Sequence, residues 1–258
     1  MPEGSENRER DQAWLAEGRR RRLAQAVAWF AVPVAVIVGL QLANGGSGDA
    51  ADNPFSSPDI PVSSSRARER GYPARTLRLP PKLISTFNLT SAADAAGCRL
   101  RRMPLEGQRT DTVGGPRHVK RGVAYKSNPP TSGEHSAVWA RDGNYAGRRS
   151  PPPERYVHSL ERGRVVVHYE PGTPPDTISR LQRLMLEPTW TEASGGYIND
   201  GAFALLLEND TRMRYAVAAT AWGDLLACPR FNDRVYDAIR AFRTIYTMKA
   251  PERAGEDE

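Results

Sequence analysis

Between Leu23 and Leu42 the chain reads LAQAVAWFAVPVAVIVGLQL, 20 residues without a charge. A helix of about 20 apolar residues is roughly 30 Å long, the thickness of a bilayer's hydrocarbon core. Arg19, Arg20, Arg21 and Arg22 stand directly before it. By the positive-inside rule that cluster stays in the cytoplasm and the C-terminal part is carried across. Pro33 is compatible with a membrane helix. The alternative is a cleaved signal peptide. The apolar run is longer than a usual signal core, and Gln41 disturbs the small-residue pattern before Ala43. The expected order is a cytoplasmic tail (1–22), a transmembrane helix (23–42), a flexible linker (43–80), an exported domain (81–250) and a charged tail (251–258).

The cysteines agree with export. Cys98 and Cys228 are the two in the chain, and both follow the apolar run. A pair in an oxidising compartment predicts a disulfide, with two buried thiols as the alternative. The net charge of +6 is spread through the chain without a nucleic-acid-binding motif, so no nucleic-acid partner is expected. The arginines between Arg66 and Arg78 read as a solvated linker, or as a contact for anionic headgroups or wall polymers.

Within the exported part the hydrophobic pattern predicts α+β architecture, a small and mainly antiparallel sheet with helices packed on one side. Residues 164–170, RVVVHYE, are β-branched and aromatic, as in a buried strand. Residues 177–186 carry Ile178, Leu181, Leu184 and Met185 at helical spacing. Residues 201–207 and 213–222 read as two strands joined at Asn209-Asp210, and 231–248 as an amphipathic helix. Residues 100–123 read as irregular, and Pro151-Pro152-Pro153 as a stiff connector.

The chemistry-bearing residues concentrate in one stretch. Asn128-Pro129-Pro130-Thr131-Ser132-Gly133 is followed by His135, Trp139 and Tyr145, and then by His158 and Glu161. Two prolines fix the backbone entering the turn, so His135 is presented from a rigid loop. Imidazoles with a nearby carboxylate suit zinc or copper. On this reading His135 and His158 coordinate, Glu161 ligates or orients, and Asn128, Thr131, Ser132, Trp139 and Tyr145 shape the ligand site. Two other readings stay open. In one, the motif is structural and the domain binds an envelope protein or wall polymer. In the other, Ser132 is a hydrolase nucleophile with a histidine base, although no Gly-x-Ser-x-Gly elbow is present. The binding readings describe a non-enzymatic domain.

These motifs resemble the domain of unknown function 3105 family. The resemblance rests on Tyr125, on the Asn128–His135 block, on Trp139, Gly143 and Tyr145, and on Val157-His158-x-Leu160-Glu161-x-Gly163. Val165-Val166, Tyr169, Ala221-Trp222-Gly223, Cys228, Phe242 and Pro251-Glu252 extend it. It implies a membrane-anchored exported domain and no particular activity. Arg162 departs from the pattern, because the resemblance leads one to expect histidine there. If that histidine is a ligand, this chain has lost one: either His168 is the expected substitute, or the site binds metal weakly or not at all, or Arg162 pairs with Glu161 or holds an anion.

Overall fold

The computed structural model describes residues 64–83, 88–107 and 118–249. The expected cytoplasmic tail, the transmembrane run 23–42, linker residues 43–63 and the tail 251–258 lie outside the described residues. Among the described residues no helix is long and apolar enough to cross a membrane.

The first described helix, α1, is Ser65–Glu69, started by the Ser64 hydroxyl accepting the Ala67 N–H. Helix α2, Leu89–Ala96, begins where the Asn88 side chain accepts the Ser91 N–H and ends at Gly97, whose φ is 69°. Strands β1 (Arg99–Arg102) and β2 (Gly143–Asn144) follow, then helix α3 (Pro153–Glu161), strand β3 (Val165–Tyr169) and helix α4 (Pro175–Leu186). Strands β4 (Thr189–Thr191), β5 (Gly196–Ile198), β6 (Ala204–Glu208), β7 (Val217–Ala221) and β8 (Asp224–Cys228) lead to the final helix, α5 (Val235–Tyr246).

The main sheet has the order β1-β8-β7-β3-β6-β2, and β4-β5 form a separate hairpin. The three pairings from β1 to β3 are antiparallel, while β3-β6 and β6-β2 are parallel. The architecture is thus α+β with a mainly antiparallel sheet, as expected. One expected pairing is corrected. The strands on either side of Asn209-Asp210 do not form a hairpin, because β3 lies between β6 and β7. Every side chain of β3 is buried. A strand covered on both faces belongs at the centre, where it needs a neighbour on each edge.

Two further expectations are corrected. Residues 64–80 are not a flexible linker, since Ala67, Tyr72 and Leu77 are buried in the main core. Their apolar side chains are separated by exposed arginines, which hides them in a basic composition. The helices are also not confined to one side. Val165, Val167, Tyr169, Leu206, Val217 and Leu226 point to a core built with α2, α4 and α5. The alternate residues Val166, Leu205 and Leu207 pack instead on Tyr156, Val157 and Leu160 of α3. The period-two alternation of each strand sends neighbouring side chains to opposite layers.

The disulfide expected between Cys98 and Cys228 is present and ties the start of β1 to the end of β8. His168 lies in the α3 layer, fully buried, with its Nε2 at 3.2 Å from the Thr220 hydroxyl and its ring edge-on to Tyr156. Burial pushes its pKa down to about 3. Above pH 6.5 neither state carries the proton. Below it the unfolded imidazole protonates first, so stability falls by roughly 1.4 kcal/mol per pH unit until the folded pKa is reached. In chelator-containing buffer, urea titrations of the wild type and His168→Gln at pH 6.5 and 4.5 will differ in pH slope by about that amount. Parallel slopes would show that His168 is not protonated on unfolding.

Candidate metal centre

Helix α3 supplies half of the site. Pro152 is its N-cap, Pro153 occupies the first turn, and Glu154 is an acidic residue in that turn. Proline suits this position because its missing N–H would have no partner inside the helix. The three prolines that read as a connector therefore start a helix. Its positions 158 and 161 are one turn apart and share a face. His158 and Glu161 are presented together, 3% and 1% exposed.

The loop before α3 supplies the rest. The Asn128–Pro129 peptide is cis. The Asn128 amide donates to the Thr211 carbonyl and accepts from the Thr211 hydroxyl, each at 2.6 Å. Thr131 accepts the Gly223 N–H through its carbonyl, and the Ser132 hydroxyl accepts the Glu106 N–H at 2.9 Å. The Glu106 carboxylate in turn accepts the N–H groups of Lys126 and Ser127 and the Ser127 hydroxyl. Gly133 has φ 124°, and a Cβ there would stand 3.0 Å from the Tyr125 ring. The loop thereby places His135, fully buried, against α3. An isolated parallel bridge with His135 brings in His118, with the Val119 N–H donating to the His135 carbonyl at 2.7 Å.

The result is a cluster of His118, His135, His158 and Glu161 whose ligand atoms all lie within 4.8 Å of one another. The imidazole centroids are 5.1, 5.0 and 4.8 Å apart. Hydrogen bonding fixes two of the rings. His135 Nδ1 is 2.8 Å from the Gly133 carbonyl, and His158 Nδ1 is 2.7 Å from the Ser136 carbonyl. A carbonyl only accepts, so both Nδ1 atoms carry the proton and both Nε2 atoms offer lone pairs in the neutral rings. This is the arrangement in which a backbone carbonyl orients a metal-binding imidazole. Burial also pushes His158 down to about 4, which keeps it neutral and able to ligate.

His135 Nε2 faces Glu161 Oε2 at 2.9 Å, with both groups almost completely buried. Glu161 Oε1 has no hydrogen-bond partner among the described residues. A neutral imidazole lone pair against a carboxylate at this distance is repulsive unless a proton or a cation neutralises it. Ligands at about 2.05 Å from a tetrahedral ion stand roughly 3.3 Å apart, so this pair already has nearly the right separation and the widest pair must close by a side-chain adjustment.

The surroundings are aromatic. Trp139 meets His158 edge-on at 5.7 Å, and Trp222 meets His135 edge-on at 6.2 Å. The Arg162 guanidinium lies 3.8 Å from the centre of the Trp139 ring. Arginine in place of the expected histidine thus lies over an aromatic face. The expected substitute, His168, is not in the cluster. It belongs to β3 and contacts Tyr156 and Thr220.

Of the residues expected to shape a ligand site, Trp139 touches the cluster through His158. Asn128, Thr131 and Ser132 brace the loop beneath it. Tyr145 packs against the α3 core and donates its hydroxyl to the Arg141 carbonyl. Ser132 is fully buried and bonded to a main-chain N–H, while the nearby imidazoles direct Nδ1 at carbonyls. Sequence reasoning missed His118, which sits in a segment read as irregular.

Fold and cluster together define an α+β domain with a histidine-rich, carboxylate-containing candidate metal centre on one face of its sheet. Residues 118–258 match the family described as Protein of unknown function (DUF3105), and the chain belongs to that family. The match begins at His118, the first of the four clustered residues. Comparisons with curated proteins and with solved structures found no match.

Proposed function

We propose that this chain is a membrane-anchored, extracytoplasmic, non-enzymatic domain that binds a transition metal of the zinc or copper class. His118, His135, His158 and Glu161 are the ligands. One observation carries the reading: two buried imidazoles oriented by main-chain carbonyls cluster with a buried carboxylate, which the His135 Nε2 faces at 2.9 Å. Imidazole and carboxylate donors suit zinc and copper(II), and the residues come from segments that the fold holds independently. The uncharged run 23–42 after four arginines supports the anchor, and the disulfide supports an oxidising compartment.

The test is elemental analysis of the full chain, extracted with detergent from washed membranes and incubated with zinc or copper(II) before desalting. Near-stoichiometric metal is expected, and its loss in His135→Ala/His158→Ala with an unchanged circular dichroism spectrum. Wild-type protein that retains no metal would refute the metal reading. Recovery of the chain in the soluble fraction would refute the anchor.

A further inference from the structure

The four clustered residues are not equivalent. His135, His158 and Glu161 are buried, and the two buried imidazoles are each fixed by a hydrogen bond to a main-chain carbonyl. His118 is exposed, and its ring has no such bond among the described residues. Its backbone is held by the isolated bridge to His135, and its ring stands 5.1 Å from that of His135 and 5.0 Å from that of His158. A cleft lined by His118, Val119, Lys120 and Arg121 opens beside it. The opposite side of the cluster is closed by α3, Trp139 and Trp222.

We infer that His118 is an exchangeable ligand, and that a borderline divalent cation bound by His135, His158 and Glu161 enters, leaves and accepts an external donor at the position His118 vacates. This rests on the metal reading above and assigns a different role to one of its ligands. The exchange is a ligand substitution. The bond from the His118 imidazole to the ion breaks, a lone pair of the incoming donor forms the new bond, and the ion's oxidation state does not change. With His118 bound, the ion has four protein ligands, the closed arrangement of structural sites. With His118 displaced it has three and an open position, the arrangement of sites that react or pass on their ion. Lys120 on the cleft rim favours an anionic incoming donor.

Cobalt(II) is the probe, because its visible spectrum reports coordination number and responds to added ligands. The full chain in detergent, as wild type, His118→Ala and His135→Ala, is titrated with cobalt(II), then with azide or imidazole. The disulfide is kept intact, and circular dichroism verifies the fold of each variant. The wild type is expected to give an intense four-coordinate spectrum that azide changes weakly. His118→Ala should still take up one cobalt, show a spectrum that azide or imidazole shifts strongly, and release the ion to a chelator at least 10-fold faster, since outer-shell losses alone cost about 10–100-fold in affinity. His135→Ala should take up no cobalt. Complete loss of cobalt in His118→Ala would show that it is a fixed ligand like the others, and a spectrum identical to the wild type would show that it is not a ligand. Either result overturns the inference while leaving a metal site in place. A wild type that takes up no cobalt would instead overturn the metal reading itself.

Discussion

Replacing Glu161 with glutamine will weaken metal binding and stabilise the metal-free protein. The two effects have a common origin. Glu161 Oε2 lies 2.9 Å from His135 Nε2, and the His135 proton is held on Nδ1 by the Gly133 carbonyl. Where neither a proton nor a cation bridges them, two acceptors face each other inside the protein. Glutamine has nearly the same shape and can turn its amide N–H towards Nε2. That exchanges a repulsive contact for a hydrogen bond, typically about 1 kcal/mol net and more when a buried unsatisfied group is relieved. A cation gains from the carboxylate charge and loses it in the glutamine variant, and a buried charge interaction removed from one side costs about 3–5 kcal/mol, or at least 100-fold in affinity. The experiment is a pair of urea titrations in chelator and a pair with excess zinc. Ligand present at about 1,000 times its dissociation constant adds roughly 4 kcal/mol to the wild type. Glu161→Gln should lead in chelator and trail in zinc. If it trails in both, Glu161 is a structural acceptor and the ligand assignment falls.

Removing the disulfide is the second large effect. Cys98 and Cys228 are 130 residues apart. Cross-linking a loop of that length restricts the unfolded chain by about 5 kcal/mol in the chain-entropy account, an upper figure since residual unfolded-state structure lowers it. Marginal domains have total stabilities of about 5–15 kcal/mol, so the loss is a large fraction of the whole. Cys98→Ala/Cys228→Ala should therefore shift the urea midpoint strongly, by an amount equivalent to about 3–5 kcal/mol, with a steeper slope because the uncrosslinked unfolded chain exposes more surface. Zinc affinity should be nearly unaffected. The cysteines belong to the core that contains α2, α4 and α5, whereas the metal ligands lie across the sheet around α3. A shift below 1 kcal/mol would mean that packing of β1 on β8 holds that edge without the bond.

The site was legible in part because its chemistry is carried by rare residue types. His135, His158 and Glu161 stood out in a chain with four histidines. His118 did not, because it lies among arginines, glycines and threonines with no periodicity. Its role arises from a bridge to His135 that local sequence does not encode. Helix α3 was hidden by three prolines, although proline in a first turn followed by Glu154 is a helix start. Strands were visible in their β-branched residues, but their partners were not. The order that puts β3 between β6 and β7 depends on long-range packing of both sheet faces. The basic stretch after Arg66 concealed three core residues, Ala67, Tyr72 and Leu77, because their spacing follows neither the helical nor the strand period.

The disulfide also bears on what should be expressed as a recombinant fragment. The segment shared with the family starts at His118, yet the bond reaches back to Cys98, and α1, α2 and β1 all precede the shared segment. A fragment cut at the family boundary would carry every metal ligand and still be half-stapled. It would present the unpaired thiol of Cys228 and a bare β8 edge, a combination that invites cross-linked dimers and strand-to-strand aggregation. In this chain the unit that recurs among relatives is shorter than the unit that folds.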